Sequence, residues 1–114
     1  MAKYEASLLG NFDELLEKIN NGILKGSVSA SFENGSDYRV GDMRCAVRVY
    51  ERYSMIGSNR VSLNVTLVGH GENLFVSAIT SGGSQAMFFK INTLGENSFL
   101  DRAVEIIERY KNGG

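Results

Sequence analysis

The chain has 114 residues, with 12 Lys plus Arg against 13 Asp plus Glu and a formal charge of −1. That length suits a single domain over residues 1–114, which buries about two-thirds of the surface of its unfolded chain. The near-neutral balance supplies no electrostatic case for nucleic acid or an anionic membrane, and the one cysteine, Cys45, leaves no partner for an internal disulfide.

No apolar run approaches the ~20 residues of a bilayer span, and Met1 to Glu5 lacks the apolar core of a signal peptide, so the expectation is a cytoplasmic protein. Tyr4, Ala6 and Leu8 alternate with polar neighbours in a short first strand that stops at Gly10. Asn11 with Glu14 is a capping-box pattern, and Phe12, Leu15, Leu16, Ile19 and Ile23 fall on one stripe of a helix closed by Gly26. Residues 27–33 alternate with Val28, Ala30 and Phe32 on one face, and Asn34-Gly35 then reads as a hairpin turn. Residues 36–42 are either loop or a brief strand through Tyr38 that turns back at Val40-Gly41-Asp42.

Four further alternating stretches follow, at residues 43–53, 60–68, 74–81 and 85–92, which with 27–33 makes five in a row. Turning Met43, Cys45, Val47 and Val49 to the core pairs Val49 with Leu63 and Val47 with Val65, since a slip of one residue swaps the faces. A turn over residues 69–73 then sets Leu67 opposite Leu74, Val65 opposite Val76 and Leu63 opposite Ala78. A Gly82-Gly83 turn sets Ala78 opposite Met87, Val76 opposite Phe89 and Leu74 opposite Ile91. Ser98 with Asp101 caps a last helix that carries Phe99, Leu100, Ala103, Val104, Ile107 and Tyr110 inward. The expected fold is α+β: strand, helix, a five-strand antiparallel meander and helix, with a twisted sheet packed by helices.

The stretches 51–69, Glu-Arg-Tyr-Ser-Met-Ile-Gly-Ser-Asn-Arg-Val-Ser-Leu-Asn-Val-Thr-Leu-Val-Gly, and 76–93, Val-Ser-Ala-Ile-Thr-Ser-Gly-Gly-Ser-Gln-Ala-Met-Phe-Phe-Lys-Ile-Asn-Thr, resemble those of a small bacterial family classed as a domain of unknown function. The resemblance spans nearly the whole chain and implies a self-standing domain without carrying over a catalytic residue. The order of elements is similar to that of helix-grip domains of the lipid-transfer (START) and birch-pollen-allergen type. Those have seven strands and two short helices after the first strand, where this chain has one helix.

Chemistry is sparse. The single histidine, His70, sits between glycines in a turn, and Cys45 reads as a small buried hydrophobe, so neither a nucleophile–base pair nor a soft-metal cluster is in view. Ser54, Ser81 and Ser84 have no base beside them, no cofactor is expected, and Asp101, Glu105 and Glu108 read as the wet side of a helix. Ser81-Gly82-Gly83-Ser84 joins strands rather than opening a helix, as a phosphate loop would, and Asn112-Gly113 reads as a helix cap.

Two surfaces remain. Arg44, Arg48 and Arg52 recur on the polar side of one strand, with Arg60 opposite Arg52, as a stripe able to hold an anion through guanidinium forks. On that same side Tyr50, Val68, Phe75, Ile79 and Phe88 form an apolar band that asks for a cover, from the last helix or from another chain. The primary functional reading is a non-enzymatic interaction module, homodimeric through this face. The alternative is a carrier of a small apolar or anionic ligand in a pocket lined by Phe32, Val47, Leu63, Val76 and Phe89.

Overall fold

Alternation near the N-terminus becomes β1 (Ala2–Leu9), with Tyr4, Ala6 and Leu8 turned inward, in a computed structural model that describes residues 1–27, 29–54, 59–82 and 89–113. α1 (Phe12–Lys25) starts where the cap signal places it. The Asn11 side chain accepts from the Glu14 amide at 2.9 Å, and the Gly26 amide donates to the Gly22 carbonyl at the other end. Asp13 and Glu14 in the first turn and Lys25 in the last complement the helix dipole. Phe12, Leu15, Ile19 and Ile23 are its buried stripe.

The rest of the chain forms β2 (Ser31–Val40), β3 (Met43–Ser54), β4 (Asn59–His70), β5 (Asn73–Gly82) and α2 (Phe89–Lys111). The five strands lie in the order β1-β5-β4-β3-β2, every neighbouring pair antiparallel. This is the expected α+β arrangement of an antiparallel sheet with two helices, and its details differ from the sequence reading in four places.

Asn34-Gly35 is not a turn. β2 runs straight through it, with a bulge between Phe32 and Asn34, and the chain reverses at Gly41-Asp42 instead. An Asn-Gly hairpin needs positive φ at both residues, yet Gly35 is absent from the positive-φ glycines. Its missing side chain serves close approach: a Cβ there would lie 2.9 Å from the Val47 carbonyl oxygen and 3.1 Å from Arg48. The two short hairpins, Gly41-Asp42 and Gly71-Glu72, share one sequence pattern, with φ of +56° and +63° at the leading glycine, which suits a two-residue loop.

β3 is slipped by one residue, so Val49 faces Asn64 and Val47 faces Thr66, and its two sides are exchanged relative to expectation. Ala46 and Tyr50 are the core residues of this strand, while Cys45, Val47 and Val49 lie half-buried on the other side. Between β4 and β5 the shift is two residues, because the turn at Gly71-Glu72 is shorter than the one expected over 69–73. Leu67 pairs with Val76, Val65 with Ala78 and Leu63 with Thr80. A shift of two preserves faces, so the expected core of these strands stands, with Leu63, Val65, Leu67, Leu74, Val76 and Ala78 buried.

The last difference concerns residues 85–92. Phe89 to Asn92 open α2 rather than ending a strand, and Ser98 lies inside that helix. The edge of β5 is taken by β1 instead, with Tyr4 opposite Ala78, Ala6 opposite Val76 and Leu8 opposite Leu74. Met87 and Phe88 fall outside the described residues. α2 packs against β1, β5 and β4, and α1 packs against β4 and α2, so both helices share one face of the sheet. Phe99, Leu100, Ala103 and Ile107 complete the core between the layers.

Candidate functional site: the open sheet face

Residues paired across antiparallel strands point to the same side, so the registers define rows on the face away from the helices. At the end of the sheet carrying the Gly41-Asp42 and Gly71-Glu72 turns, the first row from β1 to β2 is Leu9, Asn73, His70, Met43 and Val40. The next is Ser7, Phe75, Val68, Cys45 and Tyr38. Neither row contains Asp, Glu, Lys or Arg. Leu9 is 72%, Tyr38 68%, Val40 56%, Met43 47% and Phe75 39% exposed, with Val68 and Cys45 half-buried between them. Ionic groups on this face stand toward the other end, as Glu5 and Lys3 on β1 and Glu51 and Arg60 on β3 and β4. Because both helices pack on the opposite side, no element among the described residues covers these two rows.

Of the expected interface residues, Val68, Phe75 and Ile79 lie on this open face. Tyr50 does not. It is fully buried beneath the helices, its hydroxyl donates to Asn20 Oδ1 at 2.9 Å, and burial pushes its pKa up to about 12. Phe88 lies outside the described residues. Leu9, Tyr38, Val40, Met43 and Cys45, which the sequence reading left out of the patch, join it. The signal for them was the repeated Gly-acid turn, which brings the ends of β2 and β3 level with those of β4 and β5.

The arginines do not form one stripe. Arg44, Arg48 and Arg52 sit on the helix side, and Arg60 faces the opposite side, paired with Tyr53 rather than Arg52. Arg44 lays its guanidinium over the Phe12 ring at 4.2 Å and forks onto both Asp13 carboxylate oxygens at 2.9 Å. This hydrogen bond holds the Asp13 carboxyl below its ordinary pKa. Arg52 covers Phe99 at 4.8 Å, and burial lowers its pKa. Arg48 reaches Asp37 at 3.0 Å and the Val47 and Ser36 carbonyls at 2.9 and 3.3 Å. Arg60 meets Glu51 at 3.3 Å and stacks on Tyr53 at 5.6 Å. The guanidinium groups of Arg44 and Arg52 thus lie over buried rings, and those of Arg44, Arg48 and Arg60 reach carboxylates.

The residues assigned to a carrier pocket are dispersed. Leu63 and Val76 are packed solid under the helices, Val47 faces the other way, and Phe32 stands half-exposed at an open groove with Leu16 and Leu24 of α1. Gly113, with φ of +82°, follows α2 as the expected left-handed cap. No helix is long and apolar enough to cross a membrane, among the described residues.

The model of a family of unknown function, DUF6054, matches residues 1–111 of the chain. The comparison with curated proteins finds no match.

Proposed function

The chain belongs to DUF6054, a family of unknown function, and we propose that it is a non-enzymatic interaction module whose open sheet face is covered by a second copy of itself. The observation that carries this reading is the pair of uncharged rows running across all five strands on the side that neither helix covers. Depletion of charge with retention of aromatic and Met side chains marks the centre of protein interfaces. Five strands about 4.8 Å apart and the four residues of about 3.3 Å that two rows occupy give the uncharged half roughly 320 Å² in projection, and the rows of Glu5 and Lys3 bring the face to roughly 650 Å². A specific complex buries ~800 Å² per partner, so the proposed contact takes in the whole face and centres on the uncharged half. A twofold pair would stack the two sheets face to face with the helices outside, the commonest symmetry for a small protein. The reading includes a cytoplasmic setting, since one free, half-buried thiol on a contact face suits a reducing compartment.

Replacing Phe75 with Glu and Ile79 with Lys should give a folded monomer, because neither side chain belongs to the helix-covered core. Sedimentation together with circular dichroism checks this. Unfolding of the variant, or a dimer that survives it at wild-type affinity, contradicts the proposal.

A further inference from the structure

The pairing of two open faces proposed above leaves its geometry open, and resting on that reading we infer that it is reciprocal: Tyr38 of each copy enters a hollow beside Phe75 of the other, about a twofold axis running along β4. The hollow has a volume of about 460 Å³, and Ser7, Leu9, Val68, His70, Asn73 and Phe75 line it on the open face. Tyr38 stands on the edge strand at the far side of the same row, two-thirds exposed. Val68 is the middle residue of that row, two strands from Ser7 and two from Tyr38. The surface therefore carries a protrusion and a recess on opposite sides of a central point.

A twofold axis lying in the contact plane along β4 keeps Val68 over Val68 and carries Tyr38, about 10 Å away, onto the partner's Ser7 and Phe75 side. Both protrusions meet both recesses at once, as a self-complementary surface requires. An axis running across the strands instead sets Tyr38 against Tyr38 and leaves each hollow without a side chain to fill it. The chemistry matches as well as the shape. Leu9, Val68 and Phe75 offer apolar contact to the phenol ring, while His70 and Asn73 at the rim offer hydrogen-bond partners to its hydroxyl. Such an axis also keeps the strands of the two sheets aligned, the usual arrangement of stacked sheets.

Cross-linking separates these geometries. In a Cys45→Ser background, the combined substitutions Ser7→Cys and Tyr38→Cys should give a covalent dimer with a short bis-maleimide, whereas Tyr38→Cys alone should not, since the two sites are then about 19 Å apart across the strands. Tyr38→Ala should weaken the dimer at least tenfold, while Tyr53→Ala, exposed on the charged end of the same face, should leave it unchanged. Cross-linking through Tyr38→Cys alone, or wild-type affinity in Tyr38→Ala, overturns the reciprocal insertion and leaves the sheet-face pairing standing. A wild-type protein that stays monomeric overturns both.

Discussion

Tyr50 is a large ring with a polar tip on a strand otherwise marked by arginines, and the fold uses it as a core residue. Its hydroxyl is satisfied by Asn20, so burial leaves no orphan donor, and the neutral phenol is favoured over the phenolate. The sign of the pH effect follows. The folded-state pKa of about 12 lies above the ordinary 10.0, so the contribution to stability is fully present below pH 10 and is lost as the pH rises toward 12. The loss amounts to roughly 2–3 kcal/mol across that window. Tyr4, also raised to about 12 by burial and then by its hydrogen bond to Glu108, adds in the same direction. Urea midpoints between pH 8 and 12 should therefore fall more steeply for the wild type than for Tyr50→Phe. Parallel curves would mean that the phenol is not held neutral by burial.

At the scale of elements, β3 is the strand on which pattern and structure part company. Arg44, Arg48 and Arg52 read as a polar face, yet the guanidinium groups of Arg44 and Arg52 cover Phe12 and Phe99, while the cleaner apolar alternation of Cys45, Val47 and Val49 points away from the helices. Period-two alternation reports that a strand has two different sides, and only pairing decides which of them is core. In β4 and β5 the polar side was unmistakable, so β1, α1 and the core of β4 and β5 were legible from residues alone. The start of α2 was not, because residues 85–92 alternate over a span that also fits the entry to a long helix. The open patch was legible only in part, since its β2 and β3 members depend on the Gly41-Asp42 turn. Facing is testable by charge. Val65→Asp should bury an unpaired carboxylate at several kcal/mol and unfold a domain of ~5 to 15 kcal/mol stability. Val49→Asp, on the open side, should lower stability by only about 1 kcal/mol, the span of strand preferences. Equal damage from the two would return Val49 to the core.

β2 is the other element with a distinct character. Every residue from Phe32 to Val40 is exposed, and the strand is joined to the body by its ladder with β3, by the edge-on contact of Phe32 with Tyr50 at its start, and by Arg48, which reaches Asp37 and the Ser36 carbonyl. Such an element belongs to the low-stability end of a fold. Amide exchange should be faster over β2 than over the other edge strand, β1, which α2 covers, and Arg48→Ala should accelerate β2 without changing β1. Uniform acceleration would show that β2 opens only with the whole domain.

The whole molecule is a two-layer structure in which two helices pack on one side of the sheet, over β1, β5 and β4, and the other side carries an apolar, uncharged half. A sheet that is hydrophobic on both sides is built to be a middle layer. In the proposed dimer, a second copy supplies the missing layer without further sequence. Sedimentation equilibrium of the wild-type chain, from low to high micromolar concentration, tests this most directly. The account predicts a reversible shift from the 12.5 kDa chain to a species of twice that mass. A single 12.5 kDa species at the highest concentration would contradict it.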